Sequence, residues 1–144
     1  MLKKRIIISL TFLDGVLFRT KNFKPDHRYT KNFIDLLSID ELIIIDISKK
    51  KFSNEFINII QYFSKNCFVP LSVGGGIKSL QEADLYFKNG ADKILLNGNP
   101  SKEIGILKSI SKKYGNQSII QSLDCKKIDS NTSDYTVMIN SGES

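Results

Sequence analysis

Short apolar runs alternate with stretches whose apolar residues recur at helical spacing, and that alternation constrains the fold more than any other feature of the chain. Arg5 to Phe12 reads as a strand, Lys31 to Leu37 as a short helix, and Glu41 to Ile47 as a strand buried on both faces. Phe56, Ile59, Ile60 and Phe63 fall at i, i+3, i+4 and i+7, which is one face of a helix beginning near Ser53. Val69 to Val73 predicts a strand with Pro70 near its start, where a missing N–H costs little. Ser79 and Glu82 form a capping box that opens a helix turning Leu80, Ala83 and Phe87 inward, with Gly90 at its C-terminal end. Asp92 to Asn97 predicts a fourth strand. Ile104, Leu107, Ile110 and Tyr114 mark a fourth helix, followed by Gly115, and Ser118 to Asp124 a fifth strand. Asp129 to Ser133 is turn-rich, and Tyr135 to Ile139 reads as an extra strand.

Strands and helices repeating over short connections imply a parallel sheet with crossover helices. An open doubly wound sheet and a (β/α) barrel both satisfy that pattern, and periodicity does not choose between them. No linker or shift in composition divides residues 1–144, so the chain reads as one domain or part of one.

The net charge of +6 raises the question of nucleic acid, but the lysines are scattered and no aromatic platform is interleaved with them, so no nucleic-acid partner is expected. Lys3-Lys4-Arg5 before Ile6 to Phe12 has the outline of a secretory signal. Asp14 interrupts the apolar run, however, and no small-residue cleavage site follows, which favours a buried first strand. No apolar stretch approaches the roughly 20 residues of a membrane span, so no membrane partner is expected. Cys67 and Cys125 lack second cysteines at metal or redox spacing, which points to a reducing, cytoplasmic setting without a zinc site or disulfide framework.

Chemistry in such folds gathers at the C-terminal ends of the strands, which here read Thr11, Asp46, Gly74 to Gly76, Asn97-Gly98 and Asp124. A glycine triplet after a strand can cradle a phosphate with its N–H groups or can be a bare tight turn. Asp46 and Asp124 end apolar strands, where burial tunes a carboxylate for proton transfer; capping a neighbouring loop is the alternative. Arg5, Glu41 and Lys93 lie at strand starts and would meet at the opposite, N-terminal mouth of a barrel, a place usually devoted to stability. His27, the only histidine, reads as a loop residue.

Met1 to Ile7, Asp14-Gly15, Asp40-Glu41-Leu42 running into Asp46-Ile47, Val73 to Ile77, Gly90 to Lys93 and Asp124-Cys125-Lys126 together resemble the cyclase subunit of imidazole glycerol phosphate synthase, in order along nearly the whole chain. The resemblance implies a (β/α)8 barrel of the TIM type, of which residues 1–144 supply about the first five β/α units as a half-barrel, against a typical length of about 250 residues. It implies a lyase of histidine biosynthesis that needs no cofactor and no metal. A glutaminase subunit, bound as a heterodimer, releases ammonia, which crosses the barrel to close an imidazole ring on a phosphorylated small-molecule substrate. By this match Gly75, Gly76, Asn97 and Gly98 hold one substrate phosphate, Arg19 and Asp46 belong to the substrate site, and Arg5, Glu41 and Lys93 form the gate that ammonia crosses. Asp124 matches one of the family's two catalytic aspartates.

The sequence departs from that pattern in three places. Thr11 stands where the other catalytic aspartate belongs; a hydroxyl without a nearby base does not replace a carboxylate in proton transfer, a loss worth about 10²- to 10⁴-fold. Arg19 replaces a lysine, which keeps the charge but changes the geometry. The second half of the barrel is missing from residues 1–144, and with it the other phosphate site. Paralogues in acetamidino sugar clusters also lack the first aspartate, so an ammonia-channelling subunit for sugar modification is one alternative. A non-catalytic half-barrel remnant is another, and it would leave strands one and five with unpaired edges.

Overall fold

The computed structural model describes residues 3–21, 24–30, 38–48, 53–97, 100–129 and 133–138. The helix expected over Lys31 to Leu37 lies outside them.

Among the described residues the strands and α-helices are, in chain order, β1 (Ile7–Leu13), β2 (Val16–Lys21), β3 (Lys24–Tyr29), β4 (Glu41–Asp46), α1 (Asn54–Asn66), β5 (Leu71–Gly74), α2 (Leu80–Lys88), β6 (Lys93–Asn97), α3 (Pro100–Tyr114), β7 (Ile119–Ser122), β8 (Asp124–Lys127) and β9 (Tyr135–Met138). Seven strands make one sheet in the order β3-β2-β1-β4-β5-β6-β7. From β1 to β7 the neighbours are parallel, with Leu10 opposite Ile44, Ile44 opposite Val73, Val73 opposite Ile94 and Ile94 opposite Ile119. The parallel part therefore runs strictly in chain order, without the reversal that a doubly wound sheet has at its switch point.

One face of the sheet carries the core. Leu10, Phe12, Leu42, Ile44, Leu71, Val73, Ile94 and Leu96 alternate along their strands and are buried with Phe56, Ile59, Ile60 and Phe63 of α1, Ala83 and Tyr86 of α2 and Ile110 of α3. The Phe12 ring meets Phe56 at 6.3 Å and Phe63 at 6.1 Å. On the opposite face Ser9, Thr11, Ile43, Ile45, Leu95, Ile120 and Ser122 keep part of their surface accessible. The β4 strand is thus fully buried on one face only, which corrects the reading of Glu41 to Ile47 as covered on both.

Local signals placed most helix ends. Ser53 caps α1 by accepting from the Phe56 amide, and Ser79 with Glu82 makes the reciprocal capping box of α2. The inward face of α3 differs from expectation: Ile110 is buried, Leu107 and Tyr114 are half-buried, and Ile104 is 54% exposed.

Three further expectations are corrected. Val16–Lys21 and Lys24–Tyr29 pair antiparallel as β2 and β3, so His27 sits in a strand with its ring 4.9 Å from that of Tyr29 and not in a loop. β2 pairs with Thr11, Phe12 and Leu13 of β1, so the unpaired edge expected for strand one is closed at its C-terminal end; Asp14 and Gly15, both at positive φ, make the two-residue turn that folds β2 back. Finally, Ser118 to Asp124 is not one strand. It starts with a 3₁₀ turn at Asn116–Ser118, β7 ends at Ser122, and Asp124 opens β8, which pairs with β9 in a separate two-stranded sheet. Among the described residues no helix is long and apolar enough to cross a membrane.

Candidate functional site

The candidate site residues collect mainly at the two ends of the parallel strands, and the two ends differ in chemistry. At the N-terminal end Glu41 opens β4 with only 3% of its surface exposed. Strand alternation and the parallel register bring Glu41, Ser72 and Lys93 onto one face, each at or near the start of its strand. Glu41 Oε1 accepts from Lys93 Nζ at 2.9 Å and from the buried Ser72 hydroxyl at 3.4 Å, while Oε2 accepts from Arg5 Nη1 at 3.3 Å. Lys93 is 29% exposed and Arg5 62%, so the carboxylate is desolvated and its cations reach outward from it. Nearby acids serve the backbone: Asp40 accepts from the Ile6 amide and Asp92 from the Leu71 amide, both at 2.8 Å. The three residues proposed from sequence for this end do converge, and Ser72 joins them. Ser72 was missed because a serine inside an apolar strand carries no signal until the register sets it beside Glu41.

At the C-terminal end a cleft of about 290 Å³ is lined by Ile45, Asp46, Ile47, Gly75, Gly76, Ile77, Lys78, Leu95, Asn97 and Ser122. Four expected residues are therefore on its wall: Asp46, Gly75, Gly76 and Asn97. Asp124 reaches it through Asn97, whose side-chain amide donates to Asp124 Oδ2 at 3.3 Å. Gly98 lies outside the described residues. Thr11 and Arg19 do not line the cleft. Thr11 belongs to β1, and its hydroxyl donates to the Phe18 carbonyl at 2.6 Å across the hairpin. The Arg19 guanidinium is ion-paired with Asp26 on β3.

The glycine run is shaped by contact as well as by turning. Gly75, at φ +124°, packs so closely on Asp46 that a Cβ there would overlap the Asp46 backbone. Gly76, at φ +60°, faces open space. Asp46 accepts from the Ser48 amide at 2.9 Å. Burial pushes its carboxyl above the ordinary aspartate value and the charge of Asp14 adds to the rise, while hydrogen bonding from Ser48 opposes it. Behind it the buried Tyr86 phenol is pushed up to about 12, mainly by burial, with the charges of Asp46 and Glu82 adding to the effect. Sequence reasoning passed over Lys78 and Ser122; the signal for Lys78 was a basic residue between a glycine run and a helix cap. Among the described residues no group of three or more His, Cys, Asp or Glu could hold a metal ion.

Among the described residues the cleft offers backbone without side-chain obstruction, the Asn97 amide, the Lys78 ammonium and two carboxylates of different environment, Asp46 on the wall and Asp124 joined through Asn97. That combination suits a phosphorylated ligand and proton transfer beside it.

The family model described as "Histidine biosynthesis protein" matches residues 9–144. Among curated proteins, the chain is 42% identical over 135 residues to "Putative imidazole glycerol phosphate synthase subunit hisF2" of Parasynechococcus marenigrum, which covers 88% of this chain and 50% of that protein. A protein of the same printed name from Pseudomonas aeruginosa is 32% identical, over 88% of this chain and 53% of its own length. "Imidazole glycerol phosphate synthase subunit HisF" of Chlorobium luteolum is 34% identical, over 99% of this chain and 58% of its own. The chain spans about half the length of the curated relatives it matches.

Proposed function

The chain belongs to the histidine biosynthesis protein family, and on that premise we propose that it acts as a cyclase-type subunit of a glutamine-dependent imidazole glycerol phosphate synthase. In this reading the five parallel strands are the first five of a (β/α)8 barrel. Their strict chain order and the concentration of the core on one face support it, since a barrel keeps helices outside and turns the other face to its axis.

The observation that carries the functional reading is the separation of two sites along the same strands. Glu41, holding Lys93 and Arg5, stands at the N-terminal end, and the Gly75–Asn97 cleft stands at the C-terminal end. A glutaminase partner at the N-terminal end would deliver ammonia, and the ion pairs of Glu41 form the gate. Neutral ammonia needs no counter-ion and can slip past once the Lys93 side chain swings outward. Ammonium would instead compete for the Glu41 carboxylate and be held there. In the cleft the glycine amides and Asn97 hold a substrate phosphate, and Asp124, oriented by the Asn97 amide, moves the proton as the ring closes.

One observation favours a second reading. The Thr11 hydroxyl is committed to the Phe18 carbonyl and lies outside the cleft, so it does not take over the work of the family's other aspartate. An ammonia-delivering paralogue, whose acceptor is the sugar that becomes an acetamidino sugar, needs the gate but not that carboxylate. Complementation of a histidine auxotroph separates the two: growth supports imidazole closure, and failure to grow together with loss of acetamidino sugar on gene deletion supports the paralogue.

A further inference from the structure

We infer that Lys78 supplies the positive charge that lets the C-terminal cleft hold a phosphate monoester; the inference rests on the phosphate reading of that cleft. A dianion in this position needs more than unobstructed backbone. The cleft wall carries the buried carboxylate of Asp46, and Asp124 is linked to it through Asn97, so two acids already bias it against anions.

The start of α2 offers little help. Its capping box has taken the nearest amides: Glu82 Oε2 accepts from the Lys78 and Ser79 amides at 2.5 and 3.1 Å, and the Glu82 amide donates to the Ser79 hydroxyl at 3.2 Å. This arrangement also places a third carboxylate, 8% exposed, against the turn. A helix N-terminus that neutralises itself in this way is a poor anion site.

Among the described residues Lys78 is the one cationic residue of the cleft wall, and no carboxylate pairs with its ammonium. Its main chain is fixed by the Glu82 bond while its side chain is exposed, so the ammonium is tethered at the cleft yet free to close on a ligand. The Gly76 position beside it is open space, which leaves room for a phosphate between the glycine amides and the ammonium.

The test is titration of the chain with inorganic phosphate and with ribose 5-phosphate at low salt, followed by amide chemical shifts. Wild type and Lys78→Arg should bind alike, Lys78→Gln about tenfold more weakly, the size of one charge-assisted hydrogen bond, and Lys88→Gln, on the far end of α2, like wild type. Raising salt should weaken wild type more than Lys78→Gln. Equal affinity of Lys78→Gln and wild type would overturn the role of Lys78 and leave the phosphate cleft standing. Absence of binding by well-folded wild type, with unchanged shifts at Gly75, Gly76 and Asn97, would overturn both.

Discussion

Removing the Lys93 ammonium should destabilise the fold far more than removing the Arg5 guanidinium, although both pair with the same carboxylate. At 2.9 Å and an effective dielectric of about 20, the Lys93–Glu41 attraction is about 6 kcal/mol before desolvation. Most of that offsets the cost of burying Glu41, which is 3% exposed. Lys93→Met leaves this carboxylate with only the Ser72 hydroxyl and the 3.3 Å contact to an Arg5 that is 62% exposed. A buried charge stripped of its main partner costs about 3 kcal/mol or more, or about 10 °C of melting temperature for a chain of this size. Arg5→Met removes a partner that water largely replaces and should cost under about 1 kcal/mol. Glu41→Gln combined with Lys93→Met removes both charges and should be more stable than Lys93→Met alone. Urea unfolding of the four proteins measures this order. Equal losses for Arg5→Met and Lys93→Met, or a double variant less stable than Lys93→Met, would refute the picture of one desolvated carboxylate neutralised chiefly by Lys93.

Gly75→Ala should cost about 3 kcal/mol or more, because its Cβ meets the Asp46 backbone, whereas Gly76→Ala, with open space and only an unfavourable φ, should cost about 1 kcal/mol; thermal melts of the two variants compare them. Phe12→Ala, which empties the space between Phe56 and Phe63, should cost about 3 to 5 kcal/mol in urea unfolding. Asp46 binds its proton more tightly folded than unfolded, so its contribution to stability is largest in acid and is lost as pH rises from the ordinary aspartate value through its raised one. Asp46→Asn, which can still accept from the Ser48 amide, should therefore gain stability relative to wild type as pH rises through that window; a difference independent of pH would contradict the burial argument. Thr11→Asp sets an ionised carboxylate against the Phe18 carbonyl where a hydroxyl now donates, so it should unfold more readily at pH 7 than at pH 4, measured by urea midpoints.

The parallel strands and the first two described helices were legible because each depends on signals within one segment. The α1 stripe of Phe56, Ile59, Ile60 and Phe63 and the Ser79–Glu82 box fall where the structure has them. Neither β2 nor β3 was read, though Asp14-Gly15 between apolar residues is a strong signal for the hairpin of β1 with β2. Lys24 to Tyr29 is charged and exposed, so it has no apolar alternation to announce a strand. Asp124 was read as the end of a strand because Ile119 and Ile120 begin an apolar run; hydrogen bonding to β9, some ten residues on, draws it into another sheet. The site divided in the same way. Asp46, Gly75, Gly76 and Asn97 were legible as strand ends, while Ser72 and Lys78 became visible only when register and the turn after Gly76 placed them.

Ring closure itself tests the central claim most directly. The protein, supplied with an ammonium salt in place of a glutaminase, would be assayed for conversion of the ribulosyl formimino nucleotide to imidazole glycerol phosphate, with Asp124→Asn in parallel. The account predicts slow turnover, reduced about 10²- to 10⁴-fold by the absence of a carboxylate at Thr11, and its loss in Asp124→Asn. Turnover that is unchanged in Asp124→Asn, or none at all even with Thr11→Asp in place, would contradict it.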